Sequence, residues 1–154
     1  MPYDIEIRDI APQPIASVRI TTTPPEVGVA LTQNLLPRVY GFLSDHQIVP
    51  SGPPVAVYHD WAPDRVGLEG GVLVAAPISG DGTVTASELP GGRAAVTRHV
   101  GPYVGLGEAH EAVRHWILAN GQEILGPSWE IYHMPPGGEP DSAKWTTEVF
   151  WRIR

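Results

Sequence analysis

Glu148 is the residue in this chain whose type and setting most invite chemistry. It interrupts an otherwise apolar run, Trp145-Thr146-Thr147-Glu148-Val149-Phe150-Trp151. Strand alternation puts Glu148 on one face with Thr146 and Phe150, and Val149 with Trp151 on the other. A carboxylate buried among aromatic rings is costly unless paired, and desolvation alone predicts a raised pKa. A lipophilic cation would supply the missing charge, each cation–π contact contributing about 0.5–2 kcal/mol. An internal partner such as Arg98 or Arg152 would do the same from within the chain.

Other candidates come from a repeat. The pattern Gly-Pro-x-x-x-x-Tyr-His occurs at Gly52 to His59 and again at Gly126 to His133, dividing the chain almost in half. Tyr58 and Tyr132 occupy the same motif position, and a flat ring with a polar tip suits an amphipathic ligand. Glu69 answers Glu148 in the repeat, and its neighbours Gly70 and Gly71 are read as leaving room beside the backbone for a ligand. Phe150, Trp61 and Trp129 complete the candidate ligand-binding set as aromatic walls. Were the protein an enzyme, Glu148 would activate water while Tyr132 or Tyr58 donated a proton.

Several chemistries find no support. His110 and His115 nearly form a zinc-protease helix, but five residues of helix turn them about 140° apart, so no metal is expected. His59 and His133 end the two motifs and read as structural. Gly101 to Gly107 lacks the order and the lysine of a phosphate loop, and no nucleophile elbow surrounds a serine. Six scattered histidines identify no haem ligand, and no cofactor is expected. With no cysteine, disulfides and thiolate chemistry are excluded.

The elements that must position these residues follow from periodicity. Asp4 to Ile10 and Ile15 to Thr21 read as strands. Thr23 to Pro25 open a helix carrying Leu31, Leu35, Val39 and Leu43 on one face, which Pro37 kinks or divides. Strands follow at Val55 to Trp61 and Glu69 to Ala76. The second half repeats the order: strands at Thr83 to Leu89 and Arg93 to His99, then a helix from about Pro102 to Ala119. That helix has Leu106, Ala109, Val113 and Trp116 on its apolar face and stops at Asn120-Gly121. Strands at Ser128 to Met134 and Trp145 to Ile153 close the chain, joined by a proline- and glycine-rich loop from Pro135 to Pro140.

The predicted fold is therefore a single α+β domain of two pseudo-repeats, residues 4–78 and 82–154. Duplicated modules imply pseudo-twofold symmetry, an antiparallel sheet with helices on one side, and a ligand groove between the halves. A net charge of −7 disfavours nucleic acid and weakly favours cationic partners. The N-terminus lacks an apolar signal core and no run suits a membrane helix, so a cytoplasmic setting is expected.

Together, Gly101-Pro102-Tyr103, the helix ending Trp116-Ile117-Leu118-Ala119-Asn120-Gly121, Trp129 to Tyr132, and Thr147-Glu148-Val149 resemble the GyrI-like family. This domain also serves as the effector-binding part of AraC- and MerR-type regulators and is related to the SOUL haem-binding domains. The first half agrees through Val55 to Tyr58, Asp64, Glu69 and Val72 to Pro77. The resemblance covers the whole chain. It implies two strand–helix–strand–strand modules and a groove binding amphipathic, often cationic drugs, through a last-strand glutamate that matches Glu148 by position. The regulators' helix-turn-helix has no counterpart in these residues, so the resemblance implies a stand-alone binder with no direct nucleic-acid contact. It leaves two alternatives: hydrolysis of cyclopropane-containing alkylating compounds, and a protein-interaction role of the gyrase-inhibitor type.

Overall fold

The alternating run from Asp4 to Ile10 and the β-prone runs after it become strands. The protein is described by a computed structural model covering residues 3–133 and 138–154. Its strands are β1 (Glu6–Ile10), β2 (Gln13–Thr22), β3 (Pro54–Ala62), β4 (Arg65–Leu73), β5 (Thr85–Leu89), β6 (Gly92–Val100), β7 (Ile124–His133) and β8 (Thr146–Ile153). The helices are α1 (Val27–Ala30), α2 (Leu36–Asp45) and α3 (Leu106–Ala119). All the predicted elements are present, making the protein an α+β fold. Of the loop predicted from Pro135 to Pro140, residues 135–137 lie outside those described, as does Met134 at the end of its predicted strand.

The chain divides into two compact units, Pro12–Pro90 and Gly91–Arg154, the latter with the N-terminal segment through Ala11. Strand order in the first is β3-β4-β2-β5 and in the second β7-β8-β6-β1, every pairing antiparallel. The two orders are the same under the repeat, with one exchange. β1 precedes β2 in sequence but pairs with β6, while β5 precedes β6 but pairs with β2.

Proline explains why neither two-residue link makes a hairpin. Two-residue hairpins want primed turns, which need positive φ at the first central residue. Ala11-Pro12 puts proline second, where it is disfavoured in a type I turn, and Pro90-Gly91 fixes the first φ near −65°. Neither link therefore pairs the two strands it joins.

In each unit the helix lies on one face of the strands. α2 packs against β2 and β4, and α3 against β6 and β8. Leu31, Leu35, Val39 and Leu43 are all buried, as their spacing predicts. Four-residue spacing would drift about 40° per step around an ideal helix. The chain offsets this with a wide π turn over Leu31–Leu35, placed just before Pro37 in the first turn of α2. Proline has no N–H for the carbonyl four residues back, so the widened turn also absorbs that break. On α3 the buried stripe is Leu106, Ala109, Val113 and Ile117, not Trp116, which is half-buried. Eleven residues complete three turns to within about 20°, whereas ten leave Trp116 about 80° off the stripe. Each fully buried aliphatic side chain in these cores contributes about 1.5–3 kcal/mol. Among the described residues no helix is long and apolar enough to cross a membrane.

Candidate functional site

The repeat is accurate at the level of single residues. Val57 on β3 opposes Glu69 on β4, and Ile131 on β7 opposes Glu148 on β8. Across the other side Glu69 faces Arg19 and Glu148 faces Arg98 in register. The motif histidines complete the correspondence. His59 Nε2 donates to Glu69 Oε1 at 2.7 Å, and His133 Nε2 donates to Glu148 Oε1 at 2.7 Å. A bulge between Tyr58 and Asp60 accompanies His59 on β3. Each motif histidine thus bonds the glutamate of its own unit.

Both glutamates lie on the face away from the helix of their unit, and both are internally satisfied. Glu69 is buried and also accepts from Ser17 Oγ at 2.5 Å and from Ser87. Burial pushes its carboxyl up, but the donors His59, Ser17 and Ser87 outweigh burial and hold it at about 2. Glu148 accepts from Arg8 Nη1 at 2.9 Å, and Arg8 in turn donates to Glu6. Burial raises Glu148, yet the bonds from Arg8 and His133 bring it below the ordinary carboxylate value. The raised pKa expected from desolvation is therefore reversed, and the internal cation is Arg8 on β1 rather than Arg98 or Arg152.

Gly70 and Gly71 leave no open space beside Glu69. A Cβ on Gly70 would meet Leu31 Cδ1 at 2.7 Å and Leu35 Cβ at 2.9 Å, and one on Gly71 would meet the Ala16 carbonyl at 2.7 Å. These glycines exist so that the helix and β2 can close on β4.

The helix-facing side carries a different arrangement. Glu130, on β7, occupies the motif position of Ala56 on β3, and it is only 2% exposed. Its Oε1 accepts from the Tyr132 hydroxyl in a short hydrogen bond, and its Oε2 accepts from His110 Nε2 at 2.6 Å. His110 comes from α3, and Trp151 on β8 donates its indole N–H to His110 Nδ1 at 3.0 Å. Tyr103 lies against Tyr132 with ring centroids 5.2 Å apart and against Trp145 at 4.7 Å. Burial and the nearby Glu130 charge both push the Tyr103 phenol up. The result is a buried acid bordered by tyrosine, histidine and a short aromatic stack.

This geometry sorts the predicted residues. Tyr132 joins Glu130, and it points to the opposite face of the β7–β8 pair from Glu148, opposing Thr147 in register. Tyr58 packs edge-on against Trp61 at 5.5 Å, and Trp61 is 58% exposed. Trp129 and Phe150 are buried and stack on each other at 5.2 Å with planes 3° apart, on the Glu148 face. Sequence reading passed over Glu130, weighed His110 only as a metal ligand, and named Tyr103 and Trp145 without a part in the site. One signal for Glu130 was available: the two motif copies differ there, alanine against glutamate, inside an apolar strand.

The class of protein that this fold and site define is now clear. The chain belongs to the GyrI-like small molecule binding domain family, whose profile matches residues 3–154. A search by sequence against curated proteins gave no significant match. Among solved structures, the EcmrR C-terminal domain superposes with TM-score 0.86 at 20% identity, covering 100% of this chain and 99% of that one. EcmrR has also been solved bound to DNA within EcmrR-RPo; there the similarity (TM-score 0.84, 20% identity, 99% of this chain) spans 57% of the EcmrR chain. SAV2435 bound to tetraphenylphosphonium (TM-score 0.66, 15% identity, 100% and 94% covered) and a hydrolase from Listeria innocua (0.64, 14%, 99% and 93%) share the fold as well.

Proposed function

We propose that this protein binds bulky aromatic cations, with the Glu130 carboxylate as the anionic contact and Tyr132, Tyr103 and Trp145 as the surrounding rings. The observation that carries the reading is the Glu130 carboxylate, 2% exposed beside that aromatic stack and hydrogen-bonded by the Tyr132 hydroxyl and the His110 ring. Aromatic faces attract a desolvated cation by about 2 kcal/mol or more per contact, and a buried carboxylate adds an unscreened charge. Tyr103 opens a one-turn helix, Tyr103–Gly105, and Trp145 follows another, Ser142–Lys144. Such short elements move at low cost to admit a ligand.

Tetraphenylphosphonium, seen with the structurally similar SAV2435, is a suitable probe. It should raise the melting temperature of this protein well above the effect of neutral triphenylphosphine oxide. In Glu130→Gln that preference for the cation should vanish. Equal shifts from the two compounds in the unmodified protein would sink the reading.

One observation favours a second, catalytic reading. Tyr132 and Glu130 form an adjacent acid and base, with His110 on the second carboxylate oxygen. In a strained, electron-poor cyclopropane, Glu130 would take a proton from water as its oxygen bonds to a ring carbon. The ring C–C bond would break, its electron pair moving into the conjugated acceptor, which Tyr132 would protonate. Incubation with such a compound should then give a ring-opened, hydrated product with the unmodified protein and none with Glu130→Gln.

A further inference from the structure

The bond between Trp151 and His110 decides which form of the imidazole Glu130 meets. An indole N–H only donates, so His110 Nδ1, 3.0 Å from Trp151 Nε1, must present its lone pair. The single ring proton then sits on Nε2, where it donates to Glu130 at 2.6 Å. An imidazolium would carry N–H on both nitrogens and set two donors face to face across the Trp151 contact. The groups near His110 include Glu130 on β7 and Trp151 on β8, which bond it, Tyr132 on the same carboxylate, Tyr103 close to Glu130, and along α3 Glu111, itself paired with Arg114.

We infer that Trp151 is a positioning residue that holds His110 in its neutral, Nε2-protonated form, so that His110 orients Glu130 without cancelling its charge, and that this sets the site's preference for permanent cations. The inference rests on the binding role proposed for Glu130. A neutral donor fixes the carboxylate geometry and leaves its negative charge to act on the ligand. A charged histidine would fix the same geometry and compete with the cation for the same carboxylate.

Tetraphenylphosphonium does not titrate, so any pH dependence of its binding reports on the protein. By calorimetry, the unmodified protein should bind it equally well at pH 8 and pH 6. Trp151→Phe keeps the ring and removes the N–H. Its affinity should match at pH 8 and fall about tenfold by pH 6, as a histidine released from its donor takes up a proton in that range. Adding His110→Gln, which cannot be protonated, should abolish the pH dependence. A flat profile for Trp151→Phe overturns the inference. Imidazole nitrogen shifts of the unmodified protein give an independent readout: His110 should be neutral and protonated on Nε2 at pH 6, and an imidazolium signal there also overturns it. Should tetraphenylphosphonium fail to bind at either pH, the binding role falls while the nitrogen shifts still decide the histidine's state.

Discussion

Glu130 and Ala56 stand at the same position of a duplicated motif, each on the helix-facing side of its strand. In register, Ala56 opposes Gly70, and the helix closes on that pair through Leu31 and Leu35. Glu130 opposes Val149, and the helix answers with His110. One half of the molecule has used this position for apolar packing and the other for a buried acid. The duplication therefore builds two similar scaffolds, only one of which carries this acid.

Glu130→Gln and Glu148→Gln should separate binding from stability. The first should weaken tetraphenylphosphonium binding at least tenfold, the loss of about 1.4 kcal/mol or more expected for a charge contact in a desolvated site. The second removes a half-buried partner of Arg8 and His133 and should cost about 1 kcal/mol of stability, with affinity changed less than twofold. Calorimetry and urea unfolding measure the two effects; the reverse pattern would return the ligand's carboxylate to Glu148.

Truncating Tyr103 to alanine should lower affinity for the same cation by about 2- to 30-fold, the range of one cation–π contact. Titration calorimetry of Tyr103→Ala beside Tyr103→Phe checks this, since phenylalanine keeps the π face and should retain most of the affinity.

Acid should expose the role of Glu69. Its folded value of about 2 lies below the ordinary 4.5. A depressed carboxyl contributes stability that is present above 4.5 and is lost as pH falls through the window toward 2. The contribution is on the order of 3 kcal/mol. Glu69→Gln should be less stable than the unmodified protein at pH 7, with the gap closing by about that amount between pH 4.5 and 2. Parallel stability curves from chemical denaturation across this range would contradict the assignment.

Gly70→Ala should lower stability by about 1–3 kcal/mol, the usual range for overpacking. The added methyl meets Leu35 Cβ at 2.9 Å, an atom fixed to the helix backbone, so relief requires the helix to shift. Thermal unfolding should register a lower melting temperature, and an unchanged value would mean that the helix is not pinned at this point.

Much of the fold was legible because it depends on local patterns. Alternation set the strands, four-residue spacing set the α2 face, and the repeated Gly-Pro-x-x-x-x-Tyr-His aligned the halves well enough to match Glu69 with Glu148. The acid of the candidate site was less legible. Glu148 attracts notice because its strand is apolar, yet Arg8, some 140 residues away in sequence, neutralises it. Its relation to Arg8 depends on β1 pairing with β6; the proline of the Ala11-Pro12 link disfavours a hairpin with β2, but no local pattern names β6 as the partner.

By itself, then, the sequence determined the elements, their duplication and the broad class of domain, since periodicity and turn chemistry act over a few residues. The tertiary structure decided what surrounds each glutamate. A carboxylate's role depends on the donors within about 3 Å of it, and Glu130 accepts from Tyr132 beside it and from His110 on α3, a ring that Trp151 of β8 holds in turn.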